Sequence, residues 1–148
     1  MVDVSTREQS LREAIELFYF AYRSFTSEPD HILTEQGLGR VHHRILYFVG
    51  RNPDLAVTAL LDTLAVSKQA LNGPLRKLLD DKLIGIRTDE QDRRFRRLRL
   101  TEAGRKLEAQ LTGTQMRHLE TVFNRNGGKN EQAWKAIMRA MPLKEPRG

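Results

Sequence analysis

The chain has 148 residues, 39 % hydrophobic and 30 % charged, which suits one domain with a real core and excludes a disordered chain. A net charge of +6 and a pI near 10.0 favour an acidic partner such as nucleic acid or an anionic surface. The lack of cysteine excludes disulfides and thiol redox sensing. No stretch approaches the ~20 apolar residues of a membrane span. No long apolar run follows a basic start, so no signal peptide is expected, and a cytoplasmic protein is.

A first helix is predicted from about Thr6 to about Thr26, with Ser5 and Glu8 spaced as a capping box. Leu11, Ile15, Phe18, Tyr22 and Phe25 recur at alternating four- and three-residue steps, the spacing of a coiled-coil-like seam. With Tyr19 and Phe20, this is the most aromatic part of the chain. Core packing explains some of these rings. Apolar groups on more than one face call for an outside cover, and a second subunit is the expected one. Pro29-Asp30 is predicted to end or redirect the helix.

A second helix is predicted from about Leu38 to about Val49, with Val41, Ile45, Leu46 and Val49 inward, stopped by Gly50 and Asn52-Pro53. His42 and His43 are adjacent, so they point about 100° apart on a helix and chelate poorly. Together with His31 they read as structural or surface histidines, and neither a metal site nor a cofactor is expected. A short third helix, roughly Thr58 to Thr63, carries Leu60 and Leu61, with Leu64 just beyond, to pack against the next helix.

That next helix is predicted from about Ser67 to about Lys82. The Ser67 hydroxyl suits an N-cap, and Leu71, Leu75, Leu78 and Leu79 form one apolar stripe. The opposite face carries Lys68, Gln69, Asn72, Gly73 and Arg76, donors and acceptors able to reach base edges and phosphates in a major groove. Gly73-Pro74 should kink it, because Pro74 has no N–H for the Ala70 carbonyl. Two alternating strands follow, Ile84 to Thr88 and Arg97 to Thr101, with Ile84, Ile86, Leu98 and Leu100 expected inward. Residues 93 to 99 between and along them contain five arginines: Arg93, Arg94, Arg96, Arg97 and Arg99. Standing alone, such a run reads equally well as a solvated loop. One hairpin away from a polar-faced helix, it reads as the wing of a winged helix-turn-helix. Residues 64 to 101 hold ten Lys and Arg against five Asp and Glu, so most of the charge surplus lies here.

A long helix is predicted from about Glu102 to about Asn124, with Ala103, Leu107, Leu111, Leu119, Val122 and Phe123 on its apolar face and Gly113 weakening its middle. Asn126 to Asn130 reads as a turn. A last helix from about Glu131 to about Met141 presents Trp134, Ile137, Met138 and Met141, and Pro146-Arg147-Gly148 reads as a loose tail.

Asp92-x-Arg94 followed by Leu100-Thr101 resembles the signature of the MarR family (multiple antibiotic resistance regulators). Leu64-Ala65-Val66-Ser67, the run from Leu78 to Ile84, and Thr101-Glu102-Ala103-Gly104 are similar to the family's turn, helix end and next helix start. One departure is Ala65, where such regulators usually carry Gly in the turn. The resemblance implies a mainly α fold with a small β-wing. A winged helix-turn-helix would occupy about residues 38–101, and dimerisation helices about 5–27 and 102–142. It further implies a homodimer that reads a pseudo-palindromic operator in double-stranded DNA, with repression the expected mode. The DNA-binding residues would be Ser67, Lys68, Gln69, Asn72, Arg76, Lys77, Arg93, Arg94 and Arg96. Asp92 would orient the wing by aiming Arg94. A small aromatic effector would bind between dimerisation and DNA-binding parts, where Phe18, Tyr22 and Tyr47 supply rings.

Two other classes compete with this reading. A basic, non-sequence-specific or architectural nucleic-acid binder would use the same arginines, but it has no need of Gln69, Asn72 and Arg76 together. An enzyme is disfavoured, because no nucleophile elbow, phosphate-binding glycine loop or metal-spaced side-chain set is present in the sequence.

Overall fold

In the computed structural model, which describes residues 4–125 and 127–142, the chain opens on a long helix, α1 (Val4–Glu35). Asn126 and the predicted Pro146–Gly148 tail lie outside the described residues. Then come α2 (Arg40–Arg51), β1 (Leu55–Ala56), α3 (Val57–Leu64), α4 (Lys68–Asp80), β2 (Ile84–Thr88), β3 (Arg96–Leu100), α5 (Glu102–Arg125) and α6 (Glu131–Ala140). The mainly helical fold with a small β-wing therefore matches the expected class. The chain divides into two compact units, and the boundary at Gln115–Met116 falls within α5.

The core of the first unit is aliphatic. Ile45, Leu46 and Val49 of α2 meet Leu60 of α3, Leu71 and Leu78 of α4, Leu98 of β3, Leu111 of α5 and Leu33 of α1, all essentially inaccessible. Each such side chain contributes about 1.5–3 kcal/mol by leaving water. The expected inward positions of α2 and α4 are thus occupied, with Val41 and Leu79 at the core's edge.

Four features differ from the sequence reading. Helix α1 already includes Ser5, so Ser5-Glu8 does not cap its start, and it runs through Pro29 rather than ending there. Pro29 is fully buried, and the helix passes it without the hydrogen bond that its missing N–H would have made. Helix α4 runs through Pro74, where the sequence reading expects a kink rather than an end. It stops at Asp80, short of Lys82, whose backbone turns left-handed at φ 58. A third strand, β1, joins the two expected ones. It pairs antiparallel with β3, Leu55 opposite Leu98, so the sheet order is β1-β3-β2. Two residues are too short to show alternation, which is why the pattern does not reveal them. Finally, Ile86 is 37 % exposed rather than inward. The pleat directs it to the same face as Ile84 and its partner Leu98, but Leu98 is buried on the central strand β3, whereas Ile86 sits on the edge strand β2.

Two backbone positions explain the junctions. Ala65 caps α3 in the left-handed region (φ 53, ψ 44), where glycine would carry no Cβ penalty. Gly104 approaches the end of the α4–β2 connection so closely that a Cβ would lie 1.9 Å from the Leu83 carbonyl oxygen. That same oxygen accepts from Thr101 N at 3.0 Å. The Thr101 hydroxyl donates to the Lys82 carbonyl at 2.7 Å and accepts from Gly104 N at 3.0 Å, so it caps α5 while anchoring the foot of the wing.

The second unit comprises the rest of α5 together with α6. Phe123 and Trp134 meet edge to face, with ring centroids 5.5 Å apart, and Lys135 pairs with Glu131 at 2.7 Å. No residue of α6 is buried, and Trp134 and Ile137 are exposed.

Gly104→Ala should destabilise the chain by about 1–3 kcal/mol, the usual cost of forcing atoms into a packed site. Urea unfolding followed by circular dichroism checks this, and an unchanged midpoint would contradict the close approach.

Candidate nucleic-acid interface

Helix α4 presents the face that the sequence assigns to recognition. Ser67 caps it by accepting from Ala70 N at 3.1 Å, which leaves its hydroxyl proton free to point outward. The apolar stripe Leu71, Leu75 and Leu78 is buried. On the opposite side Lys68, Gln69, Asn72 and Arg76 are exposed, and none of these side chains makes a hydrogen bond or ion pair among the described residues. Gln69, Asn72 and Arg76 stand three and four residues apart, so they share one stripe. Lys77 differs: its ammonium pairs with Asp81 at 3.2 Å near the end of the helix.

The arginines of the wing are sorted by the strand pleat. Cross-strand pairs Ile84–Leu100, Ile86–Leu98 and Thr88–Arg96 share one face of the ribbon, and Gly85–Arg99 and Arg87–Arg97 share the other. On that second face the like charges of Arg87 and Arg97 oppose each other directly, which destabilises a ribbon unless acids intervene. Acids do intervene. Asp54 accepts two 2.8 Å hydrogen bonds from Arg99 and lies 3.5 Å from Arg87. Asp89 accepts from Arg97 at 3.3 Å, and Arg97 also reaches the Asp54 carbonyl oxygen at 3.4 Å. The Arg99 guanidinium holds the Asp54 carboxyl below its ordinary pKa. Arg97 and Arg99 therefore brace the wing against the loop before β1.

The tip is arranged differently. Asp92 accepts from Arg94 Nε at 3.0 Å, Nη2 at 2.8 Å and backbone N at 3.0 Å. These bonds hold the Asp92 carboxyl below its usual value and stabilise the charged Arg94. The side chains of Arg93 and Arg96 make no hydrogen bond or ion pair among the described residues. Lys68 and Asn72 of α4 face Arg93, Arg94 and Arg96 across one groove, and no acidic residue lines it.

The predicted effector residues are partly brought together. Tyr22 of α1 and Tyr47 of α2 line one cavity of about 210 Å³ with Phe25, Pro29, Arg40 and Phe48, whereas Phe18 lies outside it on the exposed part of α1. Arg40 clamps Asp30 through two nitrogens, the shortest contact 2.9 Å, and Arg44 donates to the Tyr22 hydroxyl at 3.0 Å. His43 lies in the wall. Its Nε2 stands 3.2 Å from the Thr112 hydroxyl, which itself donates to Glu108, so the ring nitrogen is the donor. Burial lowers the His43 pKa and favours the neutral ring. The His42 ring instead accepts from Gly39 N at 2.8 Å at the start of α2. Among the described residues, no cluster of His, Asp and Glu could hold a metal ion.

Sequence reasoning misses Asp54, to which it gives no role. The available signal is the period-two placement of Arg97 and Arg99, which demands an acidic partner on the outer face. It also misses Arg40 and Arg44, which an i,i+4 spacing places on one side of α2 beside the predicted rings.

Comparison with known proteins agrees with this geometry. Residues 36–94 match the sequence model of the MarR family. The chain is 40 % identical over 134 residues to the HTH-type transcriptional regulator PetP of Rhodobacter capsulatus, covering 90 % of this chain and 81 % of PetP. Its fold is similar to that of Streptococcus pneumoniae FabT in complex with DNA (TM-score 0.74, 17 % identity, 88 % of this chain and 92 % of that one). It is similar to the same degree to NadR in complex with 4-hydroxyphenylacetate (TM-score 0.73, 20 % identity, 88 % and 92 %). No helix among the described residues is long and apolar enough to cross a membrane. On the strength of its identity with PetP, the chain belongs to the MarR family, whose members are transcription regulators rather than enzymes.

Proposed function

We propose that the protein is a cytoplasmic, homodimeric repressor that reads a pseudo-palindromic operator in double-stranded DNA and is released by a small aromatic effector. The observation that carries this reading is the uncommitted stripe Gln69, Asn72 and Arg76 beside a cation-lined groove free of acids. Base edges in a major groove require such side chains, and a binder of backbone alone does not. Ser67, Lys68 and Arg76 at the outer face of α4, and Arg93, Arg94 and Arg96 on the wing, are assigned to DNA. Lys77, already paired with Asp81, is assigned a lesser part. FabT, a protein of the same fold, is bound to DNA, which supports this reading.

Dimerisation is supported by α1. From Val4 to Ser24 every residue is exposed in the single chain, including Ile15 at 68 % and Phe18 at 52 %. An apolar surface of that extent marks an interaction site, and a second copy supplies matching surface through a two-fold axis. The pair of readers then engages two half-sites about one helical turn apart.

The cavity beside Tyr22 and Tyr47 is assigned to the effector because it is lined by aromatic rings; the 4-hydroxyphenylacetate bound by NadR, a protein of the same fold, supports a small aromatic ligand. At about 210 Å³ it is smaller than the ~300–1,000 Å³ of pockets for drug-sized ligands, so a single-ring compound fits.

Selection of bound sequences from a random duplex pool tests the whole reading: a palindromic consensus is expected, and no consensus would leave the architectural alternative. Sedimentation should show a dimer for the intact chain and a monomer for the Ile15→Glu, Phe18→Glu double variant. Arg76→Ala and Gln69→Ala should each relax sequence preference by about 1–3 kcal/mol, the usual size of a bidentate base contact. Lys68→Ala should weaken all sequences alike, and the slope of log K against log salt should be about −5 or steeper for the dimer. Asp92→Ala should weaken binding although it removes a negative charge, because Arg94 loses its aim. The Asp92 contribution is complete above the unfolded carboxyl value of about 3.9 and disappears as pH falls through the depressed folded value. Operator affinity measured from pH 6 to 8 should therefore show no titration from this pair.

A further inference from the structure

The groove between α4 and the wing has cationic walls, yet its floor is apolar. Ile86 is 37 % exposed and Phe95 is 41 % exposed, and both line it together with the edge of Leu75. These apolar side chains stay part-open to water in the most basic part of the chain. Phe95 is placed there by backbone geometry: its N–H donates to the Asp92 carbonyl and its carbonyl accepts from Asp89 N, both at 3.0 Å, so the tip closes with the ring over the groove. Ile86 stands opposite Leu98, on the same face of the ribbon as Arg96. The groove continues along α4 past Asn72 and Gly73 to Arg76, with Ile86 and Arg96 common to both stretches.

We propose that this groove seats one sugar-phosphate strand of the duplex, with deoxyribose on Ile86 and Phe95 and the flanking phosphates on Lys68, Arg93 and Arg96. The inference rests on the reading of the protein as a duplex binder and deepens it. If α4 enters a major groove while the wing tip reaches the neighbouring minor groove, the strand separating those grooves must cross the surface between them, and that surface is this one. A sugar-phosphate strand has the matching chemistry: anionic phosphates at regular spacing joined by sugars whose C–H faces are apolar. The walls supply cations with no acid among the lining residues, and the floor supplies the apolar contact. Gly73 leaves the middle of the groove open, since a Cβ there would meet nothing within 4 Å. Sugar contacts carry no sequence information and release no counterions. Ile86 and Phe95 therefore add affinity equally on every sequence and without salt dependence.

The test compares Phe95→Ala with wild type on the selected operator duplex and on a random-sequence duplex across a salt series. The expected result is about a tenfold weakening on both duplexes, with the slope of log K against log salt unchanged. Phe95→Leu should retain most of the affinity. Arg96→Ala, in contrast, should flatten the slope by about 1 for each phosphate it leaves unneutralised. Ile86→Thr keeps a β-branched strand residue and provides an independent reading should Phe95→Ala lower the unfolding temperature. The proposal is overturned if Phe95→Ala and Ile86→Thr bind as wild type does. A flattened slope for Phe95→Ala would equally overturn it, because the ring would then act by placing an arginine. Dissociation of the dimer in sedimentation would assign the patch to an interface between chains instead. If wild-type protein binds no duplex in a salt-dependent manner, the functional reading itself fails, a result distinct from any of these.

Discussion

One carbonyl oxygen governs how the reader is assembled. Leu83 O accepts from Thr101 N and lies where a Cβ on residue 104 would have to be. The two strands of the wing leave and re-enter the helical body at this point, so their separation is set by backbone rather than by adaptable side chains. Thr101 reinforces the junction by donating to Lys82 and capping α5. Lys82 meets the same demand with a left-handed backbone, at φ 58, to turn the chain from helix into strand. An approach this close fixes where the wing joins the end of α4 and the start of α5.

With the foot of the wing held, charge is distributed by the pleat. The alternation of β3 decides which arginines are committed to the fold and which face outward uncommitted. Arg97 and Arg99 face Asp89 and Asp54, so their charge is largely neutralised within the fold. Arg96, one residue away on the other face, is left without an acid among the described residues, and so is Arg93 at the tip. Exposed ion pairs contribute little to stability, typically 0–1 kcal/mol. Their value here lies in geometry, because Asp54 and Asp89 stand beside the opposed Arg87 and Arg97 and offset their repulsion. Asp54 itself adopts a left-handed backbone (φ 63) to present its carboxylate there.

The start of the chain shows the opposite condition. The first twenty or so residues of α1 carry aromatic and aliphatic side chains into solvent, and α6, in the second unit, has no buried residue. Such helices gain their stability from packing more than from propensity, so a lone copy leaves this part of the sequence unexplained. Farther along, α1 becomes part of the first unit's core through Thr26, Pro29 and Leu33. Thr26 donates to the Tyr22 and Arg23 carbonyls in the turn that reaches the cavity. Back-bonding of this kind and a buried proline both favour bending. One continuous helix therefore links the exposed apolar seam to the wall that contains Tyr22.

Helix order, the recognition-helix stripe, the Ser67 cap and the identity of the wing are legible in the order of residues without any structure. Each of these rests on local periodicity or on hydrogen bonds spanning three residues, and local physics repeats wherever the pattern recurs. The seam of α1 is legible for the same reason, although its length is not, since the helix continues through Pro29, a residue that normally stops one. The remaining features are settled by packing. The pairing of β1 with β3, the partnership of Asp54 with Arg99 across 45 positions, the separation of Phe18 from the cavity that Tyr22 and Tyr47 share, and the exposure of Ile86 all depend on neighbours distant in sequence. An alternating pattern states which side of a strand a residue occupies. Whether that side is covered depends on where the strand lies in the sheet, as buried Leu98 on central β3 and part-exposed Ile86 on edge β2 show, and no local pattern encodes that.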